Sequence, residues 1–429
     1  MPDTPGAGMR PGSFALRRVV PSPTLSRAPA FWTAAGLLLL ALAASGVPTP
    51  LYRVYSERFG FGPGTLTVVF GIYAFALLVS LLVVGGLSDH VGRRPVLAGG
   101  LLLMAGAMVL FLTADGVGWL MVARVVQGLS MGALTGTLGA VLLDSQHPDR
   151  PLGNLVNSAS PGFGLSAGAV GAAVVVEYVA EPTRSVFAVL AVALVLAAAS
   201  VVLLPETSPR APGALASLRP SVRVPHPQRP GFVLALPVVA AAWALGGLYL
   251  SLGPSLAANV FGVEDHLVGS LLVLAQQGSA ALGAILGRDV GRERAMVGGA
   301  LLFATGVLGT IAALLTESIA VMFASAVVSG LGFGLSFLGA VATITAGVAP
   351  AERAGLLSAV FVVGYLSFSV PAIVAGTVSS SVGLRTVAEV YAGVLVVLAL
   401  TAVAGVLLRR RSVRRADAAA AEPARSLVA

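Results

Sequence analysis

The chain has 429 residues, 57% of them hydrophobic and only 10% charged, against roughly a quarter charged in an ordinary soluble domain. The net charge of +8 comes from arginine alone, because there is no lysine; so sparse a basic balance does not suggest a nucleic-acid partner. With no cysteine, disulfides, thiol catalysis and thiolate metal sites are excluded.

Taken from the N-terminus, residues 1–30 are rich in Pro, Ser and Arg and are expected to be a disordered cytoplasmic segment. Twelve apolar runs follow, at about 31–52, 66–87, 95–113, 118–143, 152–176, 184–204, 231–252, 266–287, 295–315, 317–348, 351–377 and 383–408, each of roughly the 20 residues that cross a bilayer. Lipid offers no partner to backbone polar groups, so each run must be a helix, and the fold class is an all-α membrane protein. The first run with its basic leader imitates a signal peptide, but it is too long for one and is expected to be retained.

The stretch from Pro205 to Pro230 is polar, proline-rich and basic. It divides the chain into a six-helix bundle at 31–204, a cytoplasmic linker at 205–230 and a second six-helix bundle at 231–408, with a basic cytoplasmic tail at 409–429. The halves repeat one another. Val125-Val126-Gln127-Gly128-Leu129 with Gly132 parallels Val327-Val328-Ser329-Gly330-Leu331 with Gly334, and Asp149-Arg150 parallels Glu352-Arg353. On this topology 21 of the 26 arginines fall on one side, which the positive-inside rule makes the cytoplasm for both termini.

Between the second and third runs lies Gly85-Gly86-Leu87-Ser88-Asp89-His90-Val91-Gly92-Arg93-Arg94-Pro95. Asp89 there faces the negative end of a helix dipole and needs a cation, which Arg93 or Arg94 supplies; Gly92 permits the turn. The stretch resembles the loop between helices 2 and 3 of the major facilitator superfamily, with His90 departing from the usual basic residue. The resemblance extends over about residues 31–408 and implies two six-helix repeats around a central substrate site. It also implies a latch on the cytoplasmic side, in which Asp89 reaches toward Glu352 and Arg353 when that side closes and Asp144 joins Arg93.

Arg124 is the only charge well inside a run. A charge at membrane depth costs at least ~2.5–3.5 kcal/mol on insertion scales, which makes it a functional candidate. Arg124-Val125-Val126-Gln127-Gly128 resembles the R-x-x-Q-G signature that the family associates with proton transfer; the second half has Ala326 at the equivalent place. Gly128, Gly132 and Gly136 form a small-residue stripe for close helix packing. The fifth run carries Pro161, Gly162, Gly164, Gly168 and Gly171, a loose likeness to the family's glycine-rich antiporter helix.

Candidates for the substrate cavity are the polar and aromatic residues of the apolar runs, chiefly Tyr52, Tyr73, Asn154, Asn157, Trp243, Tyr249, Gln276, Gln277 and Tyr365. Each has interhelical hydrogen bonding as its competing role. No Asp or Glu lies near the middle of a run, which disfavours a strongly cationic substrate and leaves the proton carrier unassigned. No lysine means no phosphate-binding loop for ATP, and the four dispersed histidines argue against a metal site, so neither cofactor nor metal is expected. The expectation is a secondary transporter, not an enzyme, in a bacterial plasma membrane, expelling a small organic molecule in exchange for protons. A metabolite symporter or facilitator is the alternative on the same fold, and a non-transporting receptor the alternative of another class. The family implies a monomer, and the basic tail is placed to touch anionic membrane lipid.

Overall fold

The computed structural model describes residues 24–150, 152–208 and 210–426. Most of the expected disordered N-terminal segment therefore lies outside the described residues. Twelve helices are long and apolar enough to cross a membrane. In the first half these are α1 Arg27–Phe59, α2 Pro63–Val84, α3 Arg93–Leu112, α4 Val117–Ser145, α5 Gly153–Tyr178 and α6 Pro182–Leu203. In the second they are α7 His226–Asn259, α8 His266–Leu286, α9 Arg292–Thr316, α10 Ile319–Ile344, α11 Glu352–Val382 and α12 Leu384–Ser412.

Some boundaries differ from the sequence expectation. α1 starts at Arg27, inside the segment expected to be disordered, because Pro29 in the first turn gives up only an N–H that would lack a partner there. α1 also runs on to Phe59, in two pieces, Arg27–Gly46 and Pro48–Phe59. Pro48 and Pro50 have no N–H to return to the carbonyls four residues back, so the ladder is interrupted at Val47. Pro254, by contrast, stays inside a continuous helix, Arg229–Asn259. After α12 the helix continues through the basic tail to Ser426, an alanine-rich stretch of high helix propensity.

The repeat seen in the sequence has a packing counterpart. A side chain at Gly128 would meet the carbonyl oxygen of Tyr73 at 2.4 Å, and one at Gly330 would meet that of Gln276 at 2.3 Å. The same glycine thus seats α4 on α2 and α10 on α8, and makes Gln276 the counterpart of Tyr73.

The two halves meet unevenly. We call the face that carries the linker the linker face and the opposite one the far face. At the far face Arg53 donates to the Glu264 carbonyl at 2.9 Å, and the backbone N–H of His266 donates to Glu177 at 2.9 Å. At mid-depth a Cβ on Gly162 of α5 would come within 2.4 Å of the Gln277 carbonyl of α8, and Phe70 of α2 packs on Phe368 of α11 with ring centres 5.0 Å apart. Among the described residues, no hydrogen bond or ion pair joins the two bundles directly at the linker face. Only the linker spans them there, through contacts such as Arg223 N–H to the Gly355 carbonyl at 3.1 Å.

Candidate functional site

The deepest polar group is built on the broken helix. Pro48 cannot bond back to Ala44, and the carbonyl so freed accepts from Gln127 Nε2 at 2.9 Å. Gln127 Oε1 in turn accepts from Arg124 Nη1 at 2.5 Å, and the Ser45 carbonyl accepts from the same nitrogen at 3.4 Å. The Tyr52 hydroxyl accepts from Arg124 Nε at 2.6 Å and also from Nη2. The guanidinium carbon lies 5.2 Å from the ring centre of Tyr52 and 5.0 Å from that of Tyr73.

Arg124 is 1% exposed and Gln127 is fully buried. No carboxylate lies within ion-pair distance of Arg124 among the described residues. The charge is held by dipoles and aromatic faces alone. The groups around the guanidinium come from three helices: Tyr52 and the Ser45 carbonyl from α1, Tyr73 from α2 and Gln127 from α4.

The cavity candidates fall into four groups. Tyr52 and Tyr73 belong to the Arg124 centre. Trp243 and Tyr365 face each other across the second half with ring centres 4.7 Å apart, and Tyr365 with Phe368 packs onto the core of the first half. Gln277 lies beside them at the seam with Gly162, while both amide atoms of buried Gln276 have no hydrogen-bond partner. Tyr249 lies apart, buried inside the second half with its hydroxyl 3.3 Å from Thr310. Asn154 and Asn157 are exposed on α5, toward the linker face.

At the linker face the turn after α2 is a second polar centre. Arg93 pairs with Asp89 and lies 3.5 Å from Asp144, and it donates to Ser88 at 2.7 Å. Glu352 and Arg353, at the start of α11, are exposed and take part in none of the ion pairs among the described residues. Sequence reasoning missed Glu206. Its carboxylate accepts from the backbone N–H of Arg93 at 2.8 Å and of Arg94 at 3.3 Å, capping α3 from across the linker. Gly92 makes this possible: its φ is +112°, and a Cβ there would sit 2.8 Å from Glu206 Oε2.

Burial opposes the charged form of Glu206, but the N–H groups of Arg93, Ser208 and Arg94, with the charge of Arg210, outweigh it and hold the carboxyl below its usual range. The next linker residues complete the clasp. Ser208 and Ala211 donate to the Asp89 carbonyl, Thr207 donates to Asp144 at 2.7 Å, and His90 Nδ1 donates to the Ala211 carbonyl at 2.9 Å. The sequence signal was an acid in an otherwise basic linker.

Two repeated six-helix bundles, meeting beside a buried polar centre, have the repeat architecture of secondary membrane transporters. The chain belongs to the Major Facilitator Superfamily, whose model matches residues 32–288, more than half of its length. It is 29% identical over 117 residues to the inner membrane transport protein YnfM of Escherichia coli (strain K12), which is 25% of this chain and 28% of that protein. It is 27% identical over 116 residues to the inner membrane transport protein YajR of the same organism, 27% of this chain and 25% of that protein. The chain thus spans only about a quarter of the length of these relatives. Its fold resembles that of a bacterial homolog to the human lysosomal transporter Spinster, solved in inward-facing states. The unoccupied form superposes with a TM-score of 0.72 at 17% identity, covering 89% of this chain and 97% of that one. For the occupied form the TM-score is 0.65 at 16% identity, with coverage of 90% and 97%.

Proposed function

We propose that this transporter exports a small organic molecule across a bacterial plasma membrane in exchange for protons, by alternating access and as a monomer. The linker face, which carries most of the arginines, would be the cytoplasmic one. Among the described residues the halves are tied directly only at the far face and at mid-depth, so this conformation would admit substrate from the cytoplasm. The observation that carries the coupled reading is Arg124: a buried charge whose partners Tyr52 and Ser45 belong to the proline-broken α1, as does the Ala44 carbonyl that holds Gln127. Rocking of α1 would change the field at this charge, linking substrate access to a proton bound elsewhere.

The buried centre carries a positive charge and no carboxylate, which favours a neutral or anionic substrate over a cation. The test is collapse of an imposed pH gradient in inside-out vesicles on adding neutral, anionic and cationic compounds. Collapse with wild type and not with Arg124→Ala supports the proposal. No collapse with any compound, together with counterflow uptake of a metabolite, would replace it with facilitated import.

A further inference from the structure

Between the ends of α7, α9, α10 and α12 at the linker face lies a cavity of about 500 Å³, a volume typical of small-ligand sites. Three arginines line it: Arg292 at the first residue of α9, and Arg409 and Arg410 near the end of α12. Glu293 is the one acid in its lining and is taken up by Arg410. Arg292 and Arg409 have no carboxylate within ion-pair distance among the described residues. Arg292 and Arg409 are exposed at this cavity, so an anion arriving from outside the chain would meet two guanidiniums that hold no carboxylate among the described residues.

The walls say which kind. Leu234 and Met296 line the same cavity and offer an apolar surface beneath the basic rim. Every charged member sits at the end of a membrane-spanning helix, which is the level of the lipid headgroups. Basic pockets between such helices, unlike scattered loop charges, hold anionic headgroups in place. Gln228, at the start of α7, contributes a buried Oε1 with no hydrogen-bond partner; it is an acceptor suited to a headgroup hydroxyl and not to a phosphate oxygen.

We infer that this cavity binds one anionic phospholipid of the adjacent leaflet. The headgroup phosphate sits between Arg292 and Arg409, a glycerol hydroxyl faces Gln228, and the acyl end lies against Leu234 and Met296. The Glu293–Arg410 pair closes one side and sets the charge count, so that a single phosphate neutralises part of the rim and does not compete with a second acid.

The experiment is native mass spectrometry of the full-length protein in micelles containing equal amounts of dioleoyl phosphatidylglycerol and dioleoyl phosphatidylcholine. Wild type should retain one phosphatidylglycerol in preference to phosphatidylcholine. Arg292→Gln with Arg409→Gln leaves the Glu293–Arg410 pair intact and should weaken that retention about 25-fold, about fivefold for each arginine near the surface. The charge-matched control, Arg219→Gln with Arg223→Gln in the linker, should retain it as wild type does. Equal loss in the control would show a diffuse basic field in place of a site and overturn the inference. Displacement by inorganic phosphate at the same concentration would overturn it in favour of a soluble anion. A correct melting profile for each variant excludes misfolding as the cause.

Discussion

The Tyr52→Phe substitution is the sharpest probe of the buried centre. It keeps the ring that faces the guanidinium at 5.2 Å and removes only the oxygen that accepts from Nε and Nη2. Interhelical hydrogen bonds in membranes average about 0.6 kcal/mol and reach about 1.7, because the separated helices find other partners. Here the donors are charged, for which ~1.5–3 kcal/mol is usual, and Arg124 is 1% and Tyr52 2% exposed, so no water replaces the hydroxyl. The loss should be about 2 kcal/mol, or roughly a 30-fold change in an equilibrium constant. Removing both partners should cost less than removing one, because no charge is then left unpaired. We expect Tyr52→Phe to lower the unfolding free energy in detergent by about 2 kcal/mol, and Arg124→Met to restore much of that stability in the double variant. Neither variant should transport. If Tyr52→Phe unfolds with wild type, or the double variant is no more stable than the single, the hydroxyl does not compensate the charge and the account of this centre is wrong.

Other outcomes follow from the same geometry. The Glu177–His266 contact, at 3.0 Å, is the only carboxylate–imidazole contact between the two bundles among the described residues; Glu177→Gln should favour far-face opening by up to about fivefold, as for partly exposed polar pairs worth at most ~1 kcal/mol. Spin labels at Val179→Cys and Val263→Cys in this cysteine-free chain read that opening directly, and an unchanged distance distribution would refute it. Glu206→Gln should loosen the linker at a cost of about 1 kcal/mol, as for a lost helix cap, and speed tryptic cleavage after Arg210. Because the Glu206 carboxyl is held below its usual range, its contribution is present above about pH 4.3 and lost as the pH falls through its lowered value. Hydrogen exchange at the Arg93 and Arg94 amides should therefore accelerate in acid beyond its intrinsic pH dependence in wild type and not in the variant. Gly128→Ala drives a Cβ to 2.4 Å from the Tyr73 carbonyl inside one bundle and should lower thermal stability by about 1–3 kcal/mol. Gly162→Ala meets the Gln277 carbonyl across the seam and should impair transport more than stability; equal effects of the two would refute the division into rigid halves.

Much of the fold was legible in the sequence because a bilayer leaves few choices. Twelve apolar runs of bilayer length have to be helices, and the matching register of Gly128 and Gly330 already marked a repeated close packing, though not the helices that fill it. Arg124 was legible for the same reason, since a charge inside an apolar run has no inexpensive place to go. Tertiary structure alone decided its partners. That Pro48 frees the Ala44 carbonyl for Gln127, and that Tyr52 and not a carboxylate meets the guanidinium, depends on how α1 lies against α4, and helix periodicity does not fix that placement. Glu206 escaped notice because its role comes from a contact across more than a hundred residues, made possible by the left-handed turn at Gly92. Nor could the sequence choose which face of the two halves is tied, because residues of both halves flank the seam at either face and helix periodicity does not rank the two arrangements. Local composition sets which segments span the membrane, while the choice among their packings rests on small differences between many contacts, visible only when the helices are seen together.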